Sequence, residues 1–196
     1  MRARLPALLA AFAGAALLSG CFSVVPDPAV SARDAEFMAL IPQAEIDPHF
    51  ARYKIKDPTG EAPGTIIVET KERQLYLVLP NREAIRYGVA VGNETFGWTG
   101  TSRIARKAEW PDWNPPAEMK KRWPHVAYTR GGPNSPLGAR ALYLYEGGRD
   151  TLYRIHGTNE PEKIGQAVSS GCIRMRNIDV VDLFNRVPVD TKVIVR

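Results

Sequence analysis

From Thr65 onward the sequence is cut into short apolar runs separated by turn residues, and this pattern limits the fold more than any other feature. "TIIVET" (65–70) and "RQLYLVLP" (73–80) flank Lys71-Glu72 and read as a hairpin. "AIRYGVAVG" (84–92) is a third strand. "ALYLYEG" (141–147) and "TLYRIHG" (151–157) pair across Gly147-Gly148-Arg149-Asp150, and "TKVIVR" (191–196) closes the chain. The runs have the length of strands and are too short for packed helices. One helix is clear. Asn177 is read as its cap, Asp179 lies in its first turn, and Ile178, Val181, Leu183 and Phe184 form its buried side. A shorter helical turn is expected over "EKIGQAV" (162–168). The expected fold is mainly β, a sandwich or barrel of mixed sheets with one or two short helices, and not an alternating α/β sheet.

The first 63 residues look different. "MRARLPALLAAFAGAALLSGC" opens with Arg2 and Arg4, continues in an uncharged apolar run from about Leu5 to Leu18, and reaches small residues before Cys21. That is the layout of a secretory signal. It is shorter than the roughly 20 apolar residues of a membrane span. Leu18-Ser19-Gly20-Cys21 resembles a lipoprotein box, so residues 1–20 are expected to be removed and Cys21 lipidated. Phe22, where Asp would retain the protein at the inner membrane, leans the reading toward the outer membrane. Residues 21–63 are interrupted by Pro26, Pro28, Pro42, Pro48, Pro58 and Pro63. They are expected to be a tether with one short docking helix in "SARDAEFMALI" (31–41), capped by Ser31.

Removing residues 1–20 takes away two arginines and no acids, so the formal charge drops from +5 to +3. Both signs are spread along the chain, without the lysine run or basic–aromatic stripe of a nucleic-acid binder. The segment 110–140, between strands, holds three of the four tryptophans and a series of prolines. A segment this long inside a compact domain is usually functional or disordered. It reads either as a lid over a substrate or as a packing loop that closes one end of the fold.

The chain has two cysteines. If Cys21 carries lipid, Cys172 is a single thiol in an oxidising compartment, which points to a reactive group. A Cys21–Cys172 disulfide and an inert buried thiol are the plainer alternatives. The flanking Ser169, Ser170, Gly171 and Arg174 are not core neighbours. At an ordinary pKa of about 8.5 only a few per cent of a thiol is ionised near neutrality, so a nucleophilic cysteine needs a base or a cation beside it. Among His49, His125 and His156, only His156 ends a strand and is followed by glycine, sixteen residues before Cys172. Gly171 allows backbone N–H groups to face a substrate carbonyl as an oxyanion hole. Arg174 can pair with a substrate carboxylate or favour the thiolate. Zinc normally takes three or four protein ligands, and no second cysteine lies near Cys172, so no metal site is expected. There is no Walker loop, no Rossmann glycine pattern and no Gly-x-Ser-x-Gly.

"IHGTNEPEKIGQAVSSGCIRMRNIDVVDLF" (155–184) resembles the signature of the L,D-transpeptidase catalytic domain, or YkuD domain: a His-Gly-Thr strand end, a spacer, then Ser-His-Gly-Cys-Ile-Arg and a helix opened by Asn. "ETKERQLYLVLPNREAIRYGVAVG", "WNPPAEM" and "GGPNSPLGARALYL" are similar to upstream parts of the same domain, so the resemblance covers about 64–196. It implies a peptidoglycan L,D-transpeptidase without cofactor. Cys172 would attack the carbonyl between the third and fourth residues of a stem peptide. His156 would move the proton, the Gly157 carbonyl would orient His156, and the Gly171 and Cys172 N–H groups would hold the oxyanion. Arg174, Ser170, Thr158 and Asn177 would contact substrate. The acceptor would be an amine of a second stem, an outer-membrane protein lysine, a D-amino acid, or water in a carboxypeptidase. In one departure, Ser170 stands where the family often has His. Two readings outside catalysis of transfer remain: a wall-binding lipoprotein without turnover, and a redox-sensing thiol.

Overall fold

The computed structural model describes residues 22–93 and 97–196; residues 1–21, on which the expectations of a signal and of lipidation at Cys21 rest, lie outside the described residues. In chain order the elements are β1 (Ser23–Val24), α1 (Ala32–Ala39), β2 (Tyr53–Lys56), β3 (Ile66–Glu69), β4 (Gln74–Leu79), β5 (Glu83–Gly88), β6 (Val91–Gly92), β7 (Gly100–Glu109), α2 (Ala117–Arg122), β8 (Arg140–Glu146), β9 (Arg149–His156), β10 (Ala167–Ser169), β11 (Ile173–Arg174), α3 (Asn177–Arg186) and β12 (Lys192–Val195). Ten strands form one sheet in the order β1-β2-β5-β4-β3-β12-β7-β8-β9-β11, and β6 pairs with β10 apart from it. The sheet is mixed: β3–β12 and β9–β11 are parallel, as is β6–β10, while the other ladders are antiparallel. The mainly β expectation holds, with three α-helices among the described residues instead of one or two.

The core follows from strand alternation. Ile66 and Val68 of β3, Leu75 and Leu77 of β4, and Ile85 and Tyr87 of β5 join Ile104, Leu142, Leu144, Ile155, Val193 and the apolar side of α3 in one buried cluster. Residues distant along the sheet order thus share an interior, so the sheet wraps around it. The intervening Ile67, Tyr76, Val78 and Ala84 form a second cluster on the opposite face, which is why "TIIVET" reads as apolar on both sides. Burying each such side chain contributes roughly 1.5–3 kcal/mol.

The turns differ in detail from the sequence reading. The β3–β4 connection runs over Thr70–Arg73, with Glu69 opposite Gln74 and Arg73 in the left-handed region at φ 56°. The β8–β9 hairpin is tighter than the expected four residues. Glu146 pairs with Arg149, and Gly147 and Gly148, at φ 56° and 79°, form a two-residue turn whose twist suits the flanking strands. The helical turn in 162–168 is a short 3-10 segment, Pro161–Lys163, followed by strand β10. Asn177 is the first residue of α3 and not its cap. Its side chain is committed elsewhere, as described below.

Residues 22–63 are not a loose tether. β1 pairs with β2, and β2 lies on β5, so the arm extends the main sheet. Ser31 caps α1 in a reciprocal box with Asp34, and Asp34 is then buried against the domain. Its carboxylate accepts two hydrogen bonds from Arg140 (2.8 Å each) and one from the Trp110 indole (2.8 Å). The Arg140 guanidinium, first among these causes, holds the Asp34 carboxyl well below the usual carboxylate range. Buried Arg52 makes a second tie, from the exposed Asp27 (2.6 Å) to the buried Asp179 in α3 (3.1 Å). The insert 110–140 divides in the same way. Trp110 and Leu137 near its ends are buried, while the middle carries α2 with no buried residue. Its packed ends fit a closing loop, and nothing about α2 marks it as a lid.

Removing one partner of a buried, doubly hydrogen-bonded pair leaves the other charged and desolvated. Asp34→Ala is therefore expected to lower unfolding free energy by about 3–5 kcal/mol, measured by urea denaturation. An unchanged midpoint would show that the arm does not hold the domain.

Candidate active site

Three strands and one helix bring the sequence-predicted residues together. β9 ends at His156, and the two-residue β11 lies parallel to it with Ile173 opposite Ile155 and Arg174 opposite His156. On its other edge His156 pairs with Ala141 of β8. The backbone is closed further by Met175 N–H donating to the His156 carbonyl (2.8 Å), and by Arg174 exchanging both backbone bonds with Ala90. Cys172 precedes β11 by one residue, so the register that fixes Arg174 also brings the thiol to the β9 edge.

Asn177 locks the floor beneath. Its Oδ1 accepts from Ala139 N–H (2.9 Å) and Thr158 N–H (3.2 Å), and its Nδ2 donates to the Thr158 carbonyl (2.7 Å). A Cβ at Gly157 would collide with that Oδ1 and approach Ala139 N to 2.8 Å, so glycine is required by space. Thr158 is buried, and its hydroxyl accepts from Glu160 N–H (3.0 Å). The resemblance implies substrate contacts for Asn177 and Thr158. In the structure the side chains of both bond to the chain itself and hold the turn after His156.

His156 is 4% exposed. Its Nδ1 lies 2.6 Å from the Gly157 carbonyl. A carbonyl only accepts, so Nδ1 carries the proton and Nε2 presents a lone pair. Burial first, and the Arg174 guanidinium second, push its pKa down to about 3, so the imidazole is neutral. Cys172 is a free, part-exposed thiol. Burial of the sulfur pushes its pKa up, against the Arg154 backbone N–H and the Arg154 and Arg174 guanidinium groups, which favour the thiolate. The resting pair is thiol and imidazole, not thiolate and imidazolium. Such a site stores no charge separation and creates its nucleophile only as the proton moves.

The loop before the thiol is held by Ser169, a residue to which the sequence alone assigns no part. Ser169 is buried; its hydroxyl donates to the Cys172 carbonyl (2.6 Å) and accepts from Gly171 N–H (3.1 Å). Ser170 is exposed. Adjacent residues of an extended segment face opposite ways, and only strand phase, set by β6–β10 pairing, decides which serine turns inward. Gly171 adopts φ 121°, open to glycine alone. Its N–H is occupied by Ser169 in this state, and the Ser169 bridge leaves the Cys172 N–H untouched. Arg174 is ion-paired with Glu160 (2.8 Å), a residue that no sequence motif singles out. His49 stands apart, bonded to Gln74, and His125 is exposed in the insert. Among the described residues, no group of three or more His, Cys, Asp or Glu is placed to hold a metal ion.

Comparison with known proteins agrees with this arrangement. The family model described as the L,D-transpeptidase catalytic domain, YkuD, matches residues 63–195. The chain is 37% identical over 142 residues to a probable L,D-transpeptidase, YbiS, of Escherichia coli K12, covering 65% of this chain and 43% of that relative. The chain thus spans less than half the length of that relative. A solved structure described as a probable carnitine operon oxidoreductase of Brucella melitensis is 46% identical, with a TM-score of 0.53, over 73% of this chain and 91% of that one. L,D-transpeptidase 3 of Mycobacterium tuberculosis shares the fold at a TM-score of 0.52 and 13% identity, over 67% of this chain and 60% of that one.

Three outcomes are expected from the site's geometry. Alkylation of Cys172 by iodoacetamide should rise in one step centred above the ordinary thiol pKa; a rate plateau near neutrality would mean a resting ion pair. The unfolded chain takes up a proton near pH 6.5, whereas folded His156 does so only near 3. Stability from this group is therefore complete above about pH 6.5 and declines as pH falls toward 3. Urea midpoints of wild type and His156→Gln, compared across that window, should converge as the pH is lowered. Asn177→Ala removes three hydrogen bonds and orphans buried N–H groups, an expected cost of about 2–4 kcal/mol. Thermal melts of the variant would test it, and a loss below about 1 kcal/mol, the worth of one ordinary hydrogen bond, would contradict the locking role.

Proposed function

Because the chain belongs to the L,D-transpeptidase catalytic domain family, we propose that it is an acyltransferase acting on peptidoglycan stem peptides, with Cys172 as nucleophile and His156 as its acid–base partner. The observation that carries this reading is the fixed imidazole. Nδ1–H is bound to the Gly157 carbonyl, Nε2 is available, and β11 pairing brings the cysteine loop to the same strand end.

In the first half-reaction, Cys172 sulfur adds to the carbonyl between the third and fourth residues of the stem while His156 Nε2 takes the thiol proton. The depressed basicity of the free imidazole is expected to rise as negative charge develops beside it, since opposite charge favours the protonated form. The Cys172 N–H, joined by Gly171 N–H once it leaves Ser169, would stabilise the oxyanion; a single such donor is worth about 3 kcal/mol. Collapse breaks the C–N bond, and the imidazolium returns its proton to the departing D-amino acid. Transfer to an amine, or to water, then resolves the thioester. Ser170 cannot act as a base near neutrality, so His156 serves both half-reactions alone. Arg174 retains its proposed role in holding the donor or the loop, through its pairing with Glu160.

The thiol–imidazole pair, in a sequence without a dinucleotide fingerprint, favours acyl transfer over the oxidoreductase activity for which the Brucella protein is named. The basic, apolar and small-residue layout of residues 1–21 supports export to the periplasm and lipid anchoring at Cys21. Phe22 in place of Asp after Cys21 supports placement at the outer membrane, where wall peptides or a lysine of an outer-membrane protein would be the acceptors.

Incubation with purified disaccharide-tetrapeptide, followed by mass spectrometry, should yield a cross-linked dimer lacking one D-alanine. Cys172→Ala should give none while keeping its melting temperature. Tripeptide without dimer would make the protein a carboxypeptidase. Binding without any product would turn it into a wall-binding module.

A further inference from the structure

The β9 strand is irregular beside the nucleophile. Tyr143 of β8 pairs with Arg154 and Tyr145 with Asp150, so Thr151, Leu152 and Tyr153 stand opposite the single residue Leu144. Leu152, at the centre of this bulge, lies in the left-handed region at φ 64°, which is unfavourable for a leucine. Side chains hold it there. Thr151 Oγ1 donates to the Leu144 carbonyl (2.7 Å) and accepts from Tyr153 N–H (3.1 Å). Asp150 spans the bulge. Its Oδ1 accepts from Leu152 N–H (2.8 Å) and from the Arg154 guanidinium (2.7 Å), and its Oδ2 accepts a second bond from that guanidinium (2.8 Å). Arg154 also lies over the Tyr143 ring at 4.5 Å. A bulge re-aims the groups of its strand, and backbone strain persists only where the surroundings enforce it.

The groups re-aimed here face the thiol. β11 begins at Ile173, opposite Ile155, so Cys172 continues its line level with Arg154. The Cys172 sulfur lies 3.9 Å from the Leu152 carbonyl, and the Arg154 backbone N–H is bonded to the same sulfur. A carbonyl accepts from S–H, and an N–H donates to a sulfur that has lost its proton, so the two groups serve the nucleophile in both of its states.

We infer that Asp150 is a positioning residue for the nucleophile: it fixes the Leu152 carbonyl and the Arg154 N–H against the Cys172 sulfur, and it occupies the Arg154 guanidinium, which would otherwise draw the thiol toward thiolate. The inference deepens the acyltransferase reading above and rests on it for the role of Cys172. The charged groups facing the sulfur are Asp150 and Arg154 from β9 and Arg174 from β11. Burial opposes ionisation of Cys172 first and the Asp150 carboxylate adds to it, both arginines favour it, and His156 is neutral. Burial pushes the Asp150 carboxyl up, but Arg154, the Leu152 N–H and Arg106 of β7 outweigh it and hold the group below the usual carboxylate range. The bulge therefore carries a negative charge near the thiol at neutral pH. Cys172 keeps its proton until the sulfur bonds the acyl carbon and His156 Nε2 takes that proton.

The test uses the full-length protein and two variants. Asp150→Asn keeps an oxygen for Leu152 N–H and loses the charge, whereas Asp150→Ala loses both. Alkylation of Cys172 by iodoacetamide is followed against pH by mass spectrometry of its peptide. Acylation by the tetrapeptide donor is followed as kcat and KM, with a thermal melt of each variant. Asp150→Asn is expected to move the alkylation profile to lower pH and to raise the rate near neutrality about threefold, the scale of one partly exposed charge pair. Asp150→Ala is expected to lower kcat about tenfold through misplacement of the sulfur, with the donor KM unchanged and Asp150→Asn retaining most of the rate. An Asp150→Asn profile that overlies the wild type would overturn the inference. So would an unchanged kcat in Asp150→Ala, a change confined to KM, or equal losses of kcat and melting temperature in both variants, which would mark a structural residue. The alkylation arm needs no substrate. The expected shift in a protein that the tetrapeptide never acylates would support the positioning of Cys172 and overturn the acyltransferase reading instead.

Discussion

The side-chain amide of Asn177 is the contact on which the site's geometry depends. Three chain segments far apart in sequence meet at it: the end of the insert at Ala139, the turn after His156 at Thr158, and the start of α3. The first two bring backbone groups that would otherwise be buried without a partner. One planar amide, with two lone pairs and two N–H groups, answers three of them. That is also why Gly157 has no room for a side chain. The His156 ring is fixed by the carbonyl of this same glycine, so the orientation of the base is inherited from the packing of a structural amide beneath it.

Burial then sets the chemistry. The site places a desolvated imidazole and a desolvated thiol beside two arginines, and the balance leaves both neutral at rest. Arg174 opposes protonation of His156 and favours ionisation of Cys172, so one side chain biases both members of the pair in opposite senses. Its ion pair with Glu160 moderates that field. Reactivity in such a site waits on transfer of the thiol proton. A resting thiolate would be oxidised far more readily.

Legibility in the sequence follows from how local each signal is. β3, β4 and β8 are readable because apolar side chains occupy both faces of the runs that contain Ile66–Val68, Leu75–Val78 and Leu142–Leu144. β7 eludes the sequence pattern, although it is ten residues long, because only Ser102 and Ile104 turn inward while Arg103, Arg106 and Lys107 dominate its text. β2 is hidden by polar alternation among prolines. Cys172 and His156 are identifiable from motif and chemistry, but the hydrogen-bonding parts of Thr158, Asn177 and Ser169 are not. Those depend on which way each side chain faces, and that is set by pairings with β6 and with the turn at Ala139. Arg52 and Asp34 carry no local signal of burial; their partners Asp179 and Arg140 are 127 and 106 residues away.

Those last two residues separate the unit of recognition from the unit of folding. The family resemblance begins at residue 63, yet the guanidinium of Arg140 and the carboxylate of Asp179, both inside the matched region, find buried partners upstream of it. Evolution has therefore written part of this domain's electrostatic interior into a stretch that the family model does not match. A boundary drawn by similarity would cut through two buried ion pairs. Transplanting the matched segment alone would strip Arg140 of its buried carboxylate and leave Asp179 to Arg176.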